Sequence, residues 1–157
     1  MKPLMSIGTL LAAAFLFLGA GDGMKASEVK IHLVVDGQVV TATLSDGAAA
    51  RAFLALLPLD LTLRDYAGTE KVSDLPSRLP TEGAPAGFDP DVGDITYYAP
   101  WGNLAIFYRD FGYAKGLVRL GHIDSGVEKL ARHRGDFAVR FERADGRAGK
   151  PGHDRPN

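Results

Sequence analysis

Strict alternation of apolar and polar residues is what most constrains this chain. In "VKIHLVV", Val29, Ile31, Leu33 and Val35 share one face and Lys30 and His32 the other, the period-two mark of a half-buried strand. Asp36 and Gly37 can adopt the positive φ angles of a two-residue hairpin turn, after which "QVVTATL" returns with Val40, Ala42 and Leu44 on one side. The pattern recurs in "LDLTLRDY", where Leu59, Leu61 and Leu63 point inward against Asp60, Thr62 and Arg64, and in "DFAVRFE", where Phe137, Val139 and Phe141 share a face. Further strands are predicted over 94–99, 103–108 and 117–123, the first two joined by "PWG", in which Pro100 presets φ and Gly102 supplies a left-handed position.

Two segments break the alternation with helical spacing. "GAAARAFLALL" places Ala49, Ala50, Phe53, Leu54 and Leu57 on one face, with Ser45 or Asp46 as the expected N-cap and Pro58 as its end. A shorter helix is predicted over 125–131, capped by Asp124 or Ser125. The stretch 68–93 is rich in Pro, Gly and acids and is expected to be an ordered surface excursion held by Leu75, Leu79 and Phe88. About seven short strands and two helices predict a mainly β fold, a closed or nearly closed barrel with helical plugs.

The chain has 157 residues, 46% of them apolar, enough for one core in one domain. A formal charge of −1 leaves no net field to draw it onto nucleic acid. With no cysteine there is no disulfide, thiolate metal site or thiol nucleophile. His32, His122, His133 and His153 match no standard ligand spacing, and neither a P-loop nor a GxGxxG pattern occurs, so no metal or cofactor is implied.

Residues 1–23 carry Lys2, an unbroken apolar run from Leu10 to Leu18 and a small-residue exit. That order is expected of a signal peptide, and the run is well short of the roughly 20 residues a spanning helix needs. The reading is a periplasmic or secreted protein without a stable membrane anchor after processing; the alternative is an uncleaved N-terminal helix. The domain is then 24–143, and 144–157, lacking any apolar pattern, is expected to be a disordered tail.

"DITYYAPWGNLAIFYRDFGY", residues 94–113, holds seven of the 14 aromatic residues. Large apolar groups fall on both faces of its strands, as at a barrel wall covered by a helix, so Tyr97, Ile106 and Phe107 read as core. Trp101, in a tight turn, must lie beneath the excursion or face a ligand. Asn103, Tyr113, Tyr66 and Glu82 fall near loop or strand ends, where a barrel has its mouth. These five are the candidate ligand-binding residues. Turn chemistry or a backbone hydrogen bond is the plainer role for each.

The segment "GDITYYAPWGNLAIFYRDFGYAKGLVRLGHIDSGVEKL", with "FLALLPLDLTLRDYAGTEKVSDLP" and "LPTEGAPAGFDPDVGD" before it, resembles the bacterial cyclophilin-like proteins over roughly 29–130. The resemblance implies an eight-stranded barrel closed by two helices. True cyclophilins isomerise prolyl bonds in a groove on the outer face, around an arginine among Phe, Gln, Met and His residues. No "FHR" strand matches here, and only Arg64 and Arg109 are strand arginines that could stand in.

His122 and Asp124, two apart on a strand, would share a face as base and orienter, but no nucleophile elbow accompanies them. Glu70, Lys71 and Glu82 are expected in loops, where two glutamates could pair as acid and base. No catalytic residue is assigned. The favoured reading is an exported module that binds a peptide or small molecule at the barrel mouth; a weak prolyl isomerase, or an enzyme using His122 or the loop glutamates, are the alternatives.

Overall fold

The computed structural model describes residues 28–146; the leader expectation for 1–23 and most of the tail expectation lie outside them. The first hairpin forms as its alternation demands. Strands β1 (Val29–Val35) and β2 (Gln38–Leu44) pair in register from Val29↔Leu44 to Val35↔Gln38. Asp36 and Gly37 take φ of 50° and 72° in the turn between them, as a type I′ turn requires. Helix α1 (Ala48–Ala55) follows, then β3 (Leu59–Tyr66), β4 (Glu70–Asp74), β5 (Gly87–Phe88), β6 (Asp94–Tyr98) and β7 (Asn103–Phe107). Strands β8 (Ala114–Lys115) and β9 (Leu117–Ser125), helix α2 (Val127–Ala131) and β10 (Phe137–Arg143) complete the described chain.

Eight strands close into an antiparallel barrel in the order β1-β10-β3-β4-β7-β6-β9-β2, and β5 pairs with β8 as a separate ribbon. Closure leaves the barrel itself without an edge strand. Inside, alternate residues of every barrel strand except β4 supply the apolar core, among them Ile31, Leu33, Leu63, Leu104, Ile106 and Leu120, all without exposed surface; each such burial stabilises the fold by about 1.5–3 kcal/mol. Phe53 of α1 meets Phe141 edge to face at 5.7 Å, covering one end of β10. Toward the other end, His133, just beyond α2, stacks on Phe137 at 4.0 Å.

Four expectations are corrected. Strand β4 lies inside the supposed excursion, so Glu70 and Lys71 are strand rather than loop residues. Its signal was masked because the inward positions are polar: Lys71 and Ser73 oppose Ile106 and Leu104 of β7. Lys71 is 1% exposed and donates to Asp65 Oδ1 at 2.8 Å and to the His133 carbonyl, with Tyr108 under its ammonium at 4.9 Å.

Neither helix has a side-chain N-cap: Gly47 and Gly126 hold those positions. The expected caps are used elsewhere, Ser45 on the Leu120 carbonyl, Asp46 on Arg51, and Asp124 on Lys30 and Thr43. The wall formed by β6 and β7 is covered by the β5–β8 ribbon instead of a helix, with Phe88 and Ala114 packed on Val72, Ala105, Phe107 and Leu117. Finally, Tyr66, Trp101, Asn103 and Tyr113, expected at the mouth, gather along the outer wall, and Glu82 lies apart from them. Among the described residues no helix is long and apolar enough to cross a membrane.

Candidate functional site

On β7, Leu104 and Ile106 enter the barrel core, which turns Asn103, Ala105 and Phe107 outward. The outward faces of β7 and β6, the end of β3, the start of β4 and the 109–116 connection enclose a cavity of about 490 Å³. Tyr66, Trp101, Asn103 and Tyr113, four of the five residues expected to bind a ligand, line it together. Glu82 does not; it borders a separate hollow of about 160 Å³ beside Gly47 and Ala48. Glu70, Tyr98, Phe107, Phe111 and Lys115 complete most of the wall. The sequence pointed to Glu70 only as a loop carboxylate and to Phe107 only as core; the β4–β7 pairing brings Glu70 to the site and the ribbon brings Lys115.

The turn that holds Trp101 is tied by Trp101 N and Gly102 N, which donate to the Tyr98 carbonyl at 3.2 and 2.8 Å. Gly102 has φ of 73°, the left-handed conformation glycine adopts without strain. The indole is therefore lifted off the barrel and is 61% exposed, with Tyr113 at 65%, Phe111 at 53% and Tyr66 at 44%. Trp101 meets Tyr66 at 5.8 Å and Tyr98 at 5.4 Å between centroids, with interplanar angles of 83° and 81°. A contiguous exposed aromatic patch of this kind marks an interaction site more often than a bare surface.

The lining also holds two polar side chains, the buried Asn103 and the partly buried Glu70. Asn103 is 4% exposed, and its Oδ1 has no hydrogen-bond partner, which costs about 1–3 kcal/mol in a folded protein. Glu70 is partly buried and accepts only a 3.3 Å bond from Thr69 Oγ1. Burial pushes its pKa above the ordinary 4.5, against the weaker opposing effect of Thr69.

A second polar cluster occupies the same wall. Asp94, with no exposed surface, accepts from Arg119 Nη2 at 2.6 Å and Nε at 3.1 Å, bonds His122 Nδ1 at 2.9 Å, and accepts Asp91 N at 2.9 Å. The partner of His122 is thus Asp94 on β6 and not the expected Asp124, which Lys30 and Thr43 hold. A register shift between Ile95 and Thr96 leaves Leu120 as the extra residue on β9. Without that bulge Arg119 and His122, three apart, would point to opposite faces.

The sequence profile of the cyclophilin-like family matches residues 33–142. The chain belongs to the cyclophilin-like family. The solution structure of a hypothetical protein from Archaeoglobus fulgidus is similar, with a TM-score of 0.57 and 19% identity, covering 78% of this chain and 99% of that one. At that identity the likeness concerns fold alone. No curated protein matches the chain. Membership in the cyclophilin-like family carries the barrel and its two helices; activity has to be argued from the site. Of the two arginines weighed as stand-ins for the isomerase arginine, Arg64 is exposed on β3, Arg109 is exposed in the bend beyond β7 rather than on a strand, and neither lines the cavity.

Proposed function

We propose that this cyclophilin-like domain is an exported binding module, and that the outer-wall cavity receives a small organic molecule or a peptide side chain. The observation that carries the reading is the unpartnered Asn103 Oδ1, buried under exposed aromatic rings. Asn103 lines the cavity, and an apolar hollow with a few polar groups is the common form of a small-molecule site. Export rests on Lys2 and the Leu10–Leu18 run and is tested by cell fractionation of the full chain; retention of unprocessed protein in the cytoplasm would remove it.

Trp101 is the sole tryptophan, so intrinsic fluorescence reports on the cavity directly. Titration of the full chain with a panel of short peptides and charged and neutral fragments should yield ligands that shift Trp101 emission and lose affinity on Asn103→Leu. Ligands that raise the melting temperature without touching Trp101 emission, and whose affinity ignores Asn103→Leu, would place the site elsewhere.

A second reading rests on His122, half exposed and oriented by the buried Asp94, beside a polar hollow of about 530 Å³. Such a pair can serve as a general base. It predicts an activity in a hydrolytic screen that His122→Ala abolishes; an activity indifferent to that change removes His122 from the chemistry.

A further inference from the structure

The lining of the aromatic cavity also specifies the charge of its ligand, given the binding reading above. Glu70 is the one acid of the lining, beside an Asn103 amide whose Oδ1 has no hydrogen-bond partner. Glu70 has no ion-pair partner among the described residues. The nearest lysine in sequence, Lys71, points to the opposite side of β4, where Asp65 and the His133 carbonyl hold it inside the barrel. Glu70 is thus an uncompensated carboxyl in partly buried surroundings, and burial has raised its pKa.

The walls reinforce this polarity. Trp101 stands nearly perpendicular to both Tyr66 and Tyr98, at 83° and 81°. Ring faces carry the negative end of the aromatic quadrupole, and Tyr66, Tyr98, Trp101 and Tyr113 all line the cavity. Lys115 is the one cation of the lining; it lies on the ribbon at the exposed rim, where solvent screens it.

We infer that the cavity binds a protonated alkylamine, its ammonium at the Glu70 carboxylate and its carbon chain lying against Trp101 and Tyr66. The amine could be a free metabolite or the end of a lysine side chain; both present the same headgroup. An ammonium there supplies the cation that Glu70 lacks, favours its ionised form and gains the cation–π attraction of the rings.

The probes are n-butylammonium chloride, n-butanol and sodium butyrate, titrated into the full chain at matched ionic strength and followed by Trp101 fluorescence and calorimetry. Butylammonium should bind at least about tenfold tighter than butanol. Glu70→Gln should erase that preference, while Asn103→Asp, which adds an anion without changing the shape, should increase it. A merely structural role for either residue would move all three probes alike. Equal binding of amine and alcohol, or tighter binding of butyrate, overturns the cation assignment and leaves the cavity as a binding site. If none of the three probes perturbs Trp101 at millimolar concentration, the assignment and the binding reading fall together. To separate the two amine sources, Nα-acetyl-lysine amide is compared with butylammonium: tighter binding of the former indicates a peptide-borne lysine.

Discussion

The surface around Asp94 and the cavity around Trp101 lie on the same outer wall and draw on the same two strands, β6 and β9, yet they are finished in opposite ways. At Asp94 a fully buried carboxylate is surrounded by donors: two from Arg119, one from His122 and one from the backbone of Asp91. At Trp101 a buried carbonyl oxygen has no donor, a carboxyl has no cation, and four aromatic side chains stand open to solvent. The first region is complete in the isolated chain and holds its own geometry. The second forgoes stability that a different lining would supply, which is the usual mark of a surface kept for a partner.

The sharpest way to break this contrast is Asp94→Ala. It should cost about 2–4 kcal/mol, somewhat below the loss for an entirely buried pair because Arg119 and His122 can turn to water. Urea unfolding measures it, and a loss under about 1 kcal/mol would mean that the cluster does not fasten the β9 bulge. The opposite sign is expected at the cavity. Asn103→Leu removes the orphan acceptor with little change of volume and should stabilise the chain by about 1 kcal/mol while abolishing ligand-induced change in Trp101 emission.

Two carboxyls on neighbouring strands carry the contrast into pH. The Lys71 hydrogen bond, helped by Tyr108, holds Asp65 below the ordinary 3.8. Its stabilisation is present above 3.8 and lost as pH falls through the lower folded value. Glu70 is shifted the other way, so its contribution is present below 4.5 and lost as pH rises through the higher folded value. Relative to wild type, Asp65→Asn should therefore be least stable at neutral pH and converge at strongly acid pH. Glu70→Gln should gain on wild type as pH climbs above 4.5. Thermal melts across pH 2–8 read both, and parallel curves for the two variants would refute the distinction drawn between them. The smallest effect belongs to Trp101→Ala: with the indole 61% exposed, stability should change by no more than about 0.5 kcal/mol while the fluorescence-independent calorimetric signal of any cavity ligand is lost.

Much of the barrel was legible in the chain. Strands β1, β2, β3 and β10 follow their alternation residue by residue, and the β1–β2 and β6–β7 turns have Asp-Gly and glycine at their positive-φ positions. What escaped was wherever a neighbour replaced a local rule. Strand β4 hides behind inward-facing Lys71 and Ser73, which are satisfied only by Asp65, His133 and adjacent backbone. The helix caps went unrealised because Ser45, Asp46 and Asp124 found partners far along the chain or on the next turn.

The candidate site divides along the same line. Tyr66, Trp101, Asn103 and Tyr113 could be picked out because aromatics and a polar amide at turns and strand ends have no local burial to explain them. That they share one cavity, that Glu82 is elsewhere and that Glu70 joins them depends on which strands adjoin: β4 beside β7, β3 beside β4, the ribbon across both. Period-two patterning is a property of each strand alone and so determines which side chains face the core. Strand order and register are properties of pairs distant in sequence, and it was the tertiary structure, through closure of the barrel and the bulge at Leu120, that decided which outward-facing groups meet and which acceptors are left waiting.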